Sequence, residues 1–466
     1  MVKAGYIAEM AKGSLGRLLF RYAWPALLAM SLNALYAVVD RAFIGHGCGV
    51  DAMAGVQLAM PVVMFLTAFG PLIGVGHSAL LSIKLGLGDK TSCEKLVGET
   101  IALKVALYAV LIPLLYLFLD EILSLCGADE VTSAARAEAR RYLKIILASH
   151  LFSHLAFGLS ALQRAEGGAI RSMTCMIVGF GVNLVLDPLL IFGCGMGVAG
   201  AAWATVVAML ASCLWAFGYY WRGRTVVRLR LRRIGFYPAL MTRALGIGLA
   251  PFLQQLMSAV IVASLQIAFT RWMPDKAART AEIASLGVFS GALILIIMPV
   301  LGCQQGLQPI LGYNWGARNY RRVRAAFTLG FRVTTVLTFA AFVMQVVPPF
   351  PTWIARMFVE SGEPAIVALA AHDLQLANSM IWIISINITA TTYFQAIGRP
   401  GMAVLLSMLR QGLVMLPIIW LLPYALDDKP FAIWLSMPVS DVICNVVTIV
   451  PLMMHLRFLS RVRTRG

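Results

Sequence analysis

The chain has 466 residues, of which 60% are hydrophobic and only 13% charged. A soluble domain carries roughly 25% charged residues, so an ordinary water-exposed globule is excluded. The net charge of +17 raises nucleic-acid binding as a function class, but the placement of the basic residues removes it, as set out below.

A membrane-crossing helix needs about 20 mostly apolar residues, and the chain holds twelve such runs. Lipid admits only helices and closed barrels, because unpaired backbone groups are too costly there. Barrel strands alternate over ~10 residues, whereas these runs are long and continuous, so helices are predicted. Span 1 (18–44) carries Pro25, Asn33, Tyr36 and Asp40; it is too long and too polar for a cleaved signal. Span 2 covers 54–82. Spans 3 (97–119) and 4 (142–163) bring Lys104, His150 and His154 into apolar surroundings. Span 5 (172–193) contains Asn183, Asp187 and Pro188, and a glycine-rich reversal (Gly193, Gly195, Gly197, Gly200) leads into span 6 (198–221) with Thr205. An arginine-rich stretch from Arg222 to Tyr237 precedes span 7 (241–269), which has Gln254, Gln255 and Ser258 but no acid at membrane depth. Spans 8 to 12 follow at 283–308, 326–349, 366–390, 402–424 and 431–456. Asp373 reads as peripheral at the start of span 10, and Arg410 falls inside span 11, where snorkelling or an ion pair would accommodate it. The joints are too short for a soluble catalytic domain, so no enzyme is expected.

An even number of spans puts both termini on one side. The loops on that side hold most of the Lys and Arg, including Lys3, Lys12, Arg17 and Arg21, the run from Arg222 to Arg243, and Arg318 to Arg324. The opposite loops carry acids such as Asp120, Glu121, Glu360, Glu363, Asp427 and Asp428. The positive-inside rule then places both termini in the cytoplasm, and the basic loops become topology signals instead of a nucleic-acid surface. The eight cysteines show no C-x-x-C spacing, so neither a disulfide framework nor a zinc site is expected. Gly195-Met-Gly197-Val-Ala-Gly200 matches a dinucleotide fingerprint by letters only, since no βαβ unit surrounds it.

The chain repeats itself. Pro71-Leu-Ile-Gly74 with Leu85-Gly-Leu-Gly88-Asp89-Lys90 pairs with Pro299-Val-Leu-Gly302 and Tyr313-Asn-Trp-Gly316-Ala-Arg318, and Gln163-Arg-Ala-Glu-Gly167 pairs with Gln395-Ala-Ile-Gly398. This predicts an all-α polytopic membrane protein of twelve transmembrane helices in two six-helix lobes, 1–230 and 231–466. The offset preserves sidedness, so the lobes are related by a pseudo-two-fold axis along the membrane normal, a recurrent transporter architecture.

Intramembrane acids are functional candidates by default, because each costs some 2.5–3.5 kcal/mol to insert. Asn183 and Asp187 lie one turn apart on one helix face. Pro188 can leave a carbonyl free, Thr205 returns to a similar depth, and Asn33, Tyr36 and Asp40 share a face of span 1. Oxygen ligands of this kind suit a hard cation, and carboxylates that exchange a proton suit H⁺; the cluster serves either. A structural reading stands beside each: a helix–helix hydrogen bond for Asp187, and pairing with Arg41 for Asp40.

The sequence resembles the multidrug and toxic compound extrusion (MATE) family. The resemblance rests on Pro25 with Val39-Asp40-Arg-Ala-Phe-Ile-Gly45, Asn183-Leu-Val-Leu-Asp187-Pro188, Gly197-Val-Ala-Gly200 to Thr205, Gln308 to Tyr320, and Gln395 to Gln411, in order over the whole chain. It implies a V-shaped, monomeric two-lobe transporter of the inner membrane, with membrane lipids around it and small amphipathic, often cationic compounds as substrates. Export would run by alternating access against H⁺ or Na⁺, with no other cofactor. It further implies that Asp40, Asn183, Asp187 and Thr205 bind the coupling ion and that span 1 bends at Pro25. A lipid or glycolipid flippase of the same superfamily is the alternative. The absence of an acid in span 7 sets the chain apart from branches that place functional acids in the second-lobe cavity.

Overall fold

A computed structural model describes residues 9–48, 50–126, 132–221, 225–273, 275–358 and 364–462. Within these, the side chains at 33–34, 36–42, 44–48, 50–51, 53–54, 277, 295–296 and 458–462 are not described. The described residues form helices and no strand. The first half comprises α1 (Leu15–Cys48), α2 (Val50–Gly86), α3 (Lys90–Leu117), a short α4 (Leu119–Leu125), α5 (Ser133–Ala165), α6 (Ala169–Pro188) and α7 (Val198–Trp221). The second comprises α8 (Pro238–Trp272), α9 (Lys276–Gly316), α10 (Tyr320–Val346), a short α11 (Phe350–Phe358), α12 (Pro364–Ala377), α13 (Ser385–Ala396), α14 (Pro400–Met408), α15 (Leu416–Ala425) and α16 (Lys429–Val462). Among the described residues, ten helices are long and apolar enough to cross a membrane; α12 with α13 makes an eleventh. The 34-residue α1 takes the remaining place.

Three predicted spans are not single regular α-helices. Span 10 breaks between α12 and α13, which meet at 47°. At the break, Asn378 Nδ2 donates to the Leu374 carbonyl and Ser379 Oγ to that of Leu376, each sharing its acceptor with that residue's own backbone N–H. Span 11 passes through a wide π turn, Leu409–Met415, before Pro417. Span 5 does the same at Leu189–Gly193, directly after Pro188. Proline removes a ladder donor and crowds the preceding turn; in span 11 the widened turn lies in that preceding position and relieves the crowding, whereas in span 5 it follows the proline.

The pseudo-symmetry is visible in backbone detail. Gly88 sits at φ 75° and Asp89 then caps α3 by accepting from Ser92 N; Arg318 sits at φ 56° and Asn319 caps α10 by accepting from Arg322 N. The sequence pairing of Gly88 with Gly316 is therefore two residues out of register. Gly86 corresponds to Gly316, and these two pack against each other: a Cβ on Gly86 would strike the Tyr313 carbonyl, and one on Gly316 the Ile83 carbonyl. Further contacts between the halves occur in matched pairs. On α2 and α8, Gly76 abuts Ala244 and Gly248 abuts Leu72; on α9 and α1, Gly306 abuts Ala23 and Gly302 abuts Leu27. All lie in the portion of the helices nearer the described termini.

The stretch joining the halves is fastened to the first. Val227 N donates to Glu166 Oε2 at 2.9 Å, Tyr237 N donates to Glu99 Oε1 at 2.6 Å, and Arg230 and Arg233 engage Glu94 at 3.1 and 3.3 Å.

Candidate functional site

α1, α6 and α7 pack together in the first half. The widened turn after Pro188 returns the chain so that Gly200 lies against the Leu190 backbone; a Cβ there would approach it within 2.8 Å. From that contact the chain runs back three residues to Asp187 and forward five to Thr205. At 1.5 Å per residue their depths differ by roughly 3 Å. The reversal thus brings Asp187 and Thr205 to one level.

Asn183 Nδ2 donates to Asp187 Oδ1 at 3.0 Å. Both residues are buried, Asp187 completely and Asn183 at 2% exposure, and Thr205 is buried as well. The one-turn spacing on a helix makes this bond, and the orientation gives the carboxyl an amide donor. Asn183 Oδ1, the Asp187 carboxyl and the Thr205 hydroxyl are oxygens of the kind a hard cation takes. The same carboxyl is able to carry H⁺. Pro25 is buried within α1. Asn33, Tyr36 and Asp40 lie on α1, the helix packed on α6, and their side chains are outside the described residues.

Other buried charges find partners that the sequence did not identify. Arg410 Nε donates to Asp441 Oδ1 at 2.7 Å, so an ion pair with α16 accommodates the arginine. Gln411 Nε2 donates to Ser258 Oγ at 3.0 Å beside it. Asp373 is not peripheral: it is 3% exposed, accepts from Ser285 Oγ at 2.6 Å and lies beside the Glu282 carboxyl. Glu282 accepts from Trp434 Nε1 at 2.8 Å. Glu282 lies one residue before the predicted span 8, which is why the pair was not seen. In the first half, His154 Nδ1 meets the Tyr108 hydroxyl at 2.9 Å, and His77 faces Glu99 across α2 and α3 at 3.4 Å.

The model of the family described as MatE matches residues 25–189 and 255–421. The chain belongs to the MatE family. Its two matched segments fall one in each half of the chain, and the Asn183–Asp187 pair lies inside the first. Among curated relatives of this MatE protein is the multidrug export protein MepA of Staphylococcus haemolyticus, 26% identical over 436 residues, covering 93% of this chain and 92% of the relative. MepA of Staphylococcus aureus is 24% identical with the same coverage. A solved structure of the MATE multidrug transporter DinF-BH is 28% identical, with TM-score 0.84, covering 94% of this chain and 95% of that one. A MATE crystal structure in complex with MaL6 is similar in fold, with TM-score 0.89 at 22% identity, covering 97% and 99%. The MatE chain is thus a multi-pass membrane protein with the all-helical, two-lobe fold of these transporters.

Proposed function

We propose that this MatE protein exports amphipathic, often cationic small organic compounds by alternating access, in exchange for H⁺ or Na⁺. The relatives' description as multidrug exporters supports the substrate class. The buried Asn183–Asp187 pair carries the coupling reading, because a carboxyl at membrane depth is costly without a task. In this reading Asp40, Asn183, Asp187 and Thr205 form the ion site, with Asn33, Tyr36 and Pro25 in support. Residues 1–230 and 231–466 move as two lobes, both termini lie in the cytoplasm, and the protein works as a monomer in the inner membrane. The matched glycine contacts then close the cytoplasmic side and leave the site to the outside. Ion binding to the open cluster rearranges α1 and weakens substrate binding; after the lobes rock, the ion leaves inward and substrate enters. One charge falling through 100 mV supplies about 2.3 kcal/mol, roughly a fifty-fold gradient at balance.

The test is efflux of a cationic dye from proteoliposomes under separately imposed proton and sodium gradients. Coupling predicts that one gradient drives efflux; equal efflux with neither would point to uncoupled movement of the kind a flippase performs.

A further inference from the structure

Arg410 carries its charge near the middle of the membrane. From Pro400, where α14 begins, to Arg410 is about 15 Å at 1.5 Å per residue, half of a ~30 Å hydrocarbon core. Its Nε donates to Asp441 Oδ1 at 2.7 Å, and both Nη groups donate to no acceptor among the described residues. The arginine is the more exposed member of the pair, its side chain 23% accessible against 6% for the aspartate. An ion pair that served packing alone would turn the remaining edge of the guanidinium to a second acceptor, because unpaired N–H groups away from water are costly.

That edge does not face lipid. α16 presents Val442, Val446 and Val450 outward, all exposed, and holds Asp441, Asn445 and Thr448 on its opposite, buried face. Arg410 meets α16 on this inner face. Further along it the polar groups satisfy one another. Asn445 Nδ2 donates to the Asp441 carbonyl, Asn387 N donates to Asn445 Oδ1, and Asn387 Nδ2 donates to the Thr448 hydroxyl. Glu282, the acid that meets α16 at Trp434, is two helical turns from Asp441, about 10 Å along the helix.

The arginine is also fixed. Ser440 Oγ donates to its carbonyl at 3.2 Å, and the adjacent Gln411 donates through Nε2 to Ser258 Oγ at 3.0 Å. The wide turn Leu409–Met415 is thereby tied to α16 on one side and α8 on the other. A fixed guanidinium with both Nη groups free matches the paired oxygens of a carboxylate or sulfonate. In a site of low dielectric such bonds strengthen.

We infer that Arg410 is a recognition site in the second lobe for the anionic group of an amphipathic organic acid. Asp441 is its positioning residue: it orients the guanidinium and balances its charge when no ligand is bound. The protein then accepts carboxylate-bearing and zwitterionic compounds beside cations. This deepens the exporter reading above and rests on it only for the step from binding to transport.

The test is binding to the full chain in detergent, followed by fluorescence polarisation. The probes are rhodamine 6G, a cationic ethyl ester, and the free acid with the same ring system. The double variant Arg410→Met/Asp441→Leu removes both charges together, so neither is left buried alone. It should bind the free acid about tenfold or more weakly than wild type and the ester with unchanged affinity. Arg410→Lys, which keeps the charge and a partner for Asp441 but not the forked edge, should bind the acid with intermediate affinity. Binding of the acid at wild-type strength by the double variant would overturn the inference. Equal weakening of acid and ester would do so too, because it marks a purely structural pair. Failure of gradient-driven efflux would remove the coupling reading and leave this difference in binding standing.

Discussion

At the scale of single residues, several buried charges among the described residues are paired, and the partner decides what a substitution does. Breaking the Arg410–Asp441 pair by Arg410→Met leaves a carboxylate uncompensated inside the second half. A loss of about 3–5 kcal/mol is expected, read as a lower melting temperature in detergent. The double change Arg410→Met with Asp441→Leu should recover most of it; no recovery would show that the arginine acts through something other than this pair. Asp89 offers a pH-dependent case outside the membrane. Burial works against its charge, but hydrogen bonds from Ser92 and Lys84 and the Lys84 ammonium hold it down at about 2, below the ordinary 3.8. Its folded value is depressed, so its contribution is present above pH ~4 and is lost as pH falls from about 4 through 2. Asp89→Ala should destabilise by about 0.5–2 kcal/mol at pH 7, and the gap from wild type should narrow at pH 3. A constant gap would mean that the cap's charge is irrelevant.

At the scale of helices, glycine sets how closely the halves approach. A side chain on Gly248 would strike the Leu72 carbonyl, and one on Gly76 the Ala244 carbonyl; backbone atoms of packed helices yield little. Gly248→Val should therefore push α2 from α8 and shift spin-label distances on the terminal side upward by about 1–2 Å or more. Gly181, with open space around its Cβ position, is the control, and Gly181→Ala should leave those distances unchanged. Apolar run length was enough to place the helices, because nothing but a helix satisfies a backbone in lipid. The bends were not legible. The break in span 10 falls at Asn378 and Ser379, whose backbone and side chains share local carbonyls, and the wide turn in span 11 lies just before Pro417; a hydropathy run treats both as continuous. The repeat was legible as glycine spacing but slipped by two residues, because the left-handed position in the second copy is Arg318, which no glycine marks.

At the scale of the whole molecule, two halves meet through paired contacts on the side of the termini, and a buried amide–carboxyl pair lies within the first half. The Asn183–Asp187 pair was readable from a four-residue spacing on one helix, a local property. The Glu282–Asp373 and His77–Glu99 sets were not, since each joins residues from separate helices whose facing is decided by tertiary packing. Proton or sodium coupling through Asp187 makes a direct demand on transport. In proteoliposomes, Asp187→Asn should abolish gradient-driven dye efflux, lowering it by tenfold or more, while gradient-free exchange of dye across the membrane continues. The most direct measurement compares these two activities in wild type, Asp187→Asn and the Asp40→Asn/Asp187→Asn double variant. Loss of the driven component with exchange retained is the predicted result. Driven efflux at the wild-type rate in the double variant would contradict coupling through this cluster.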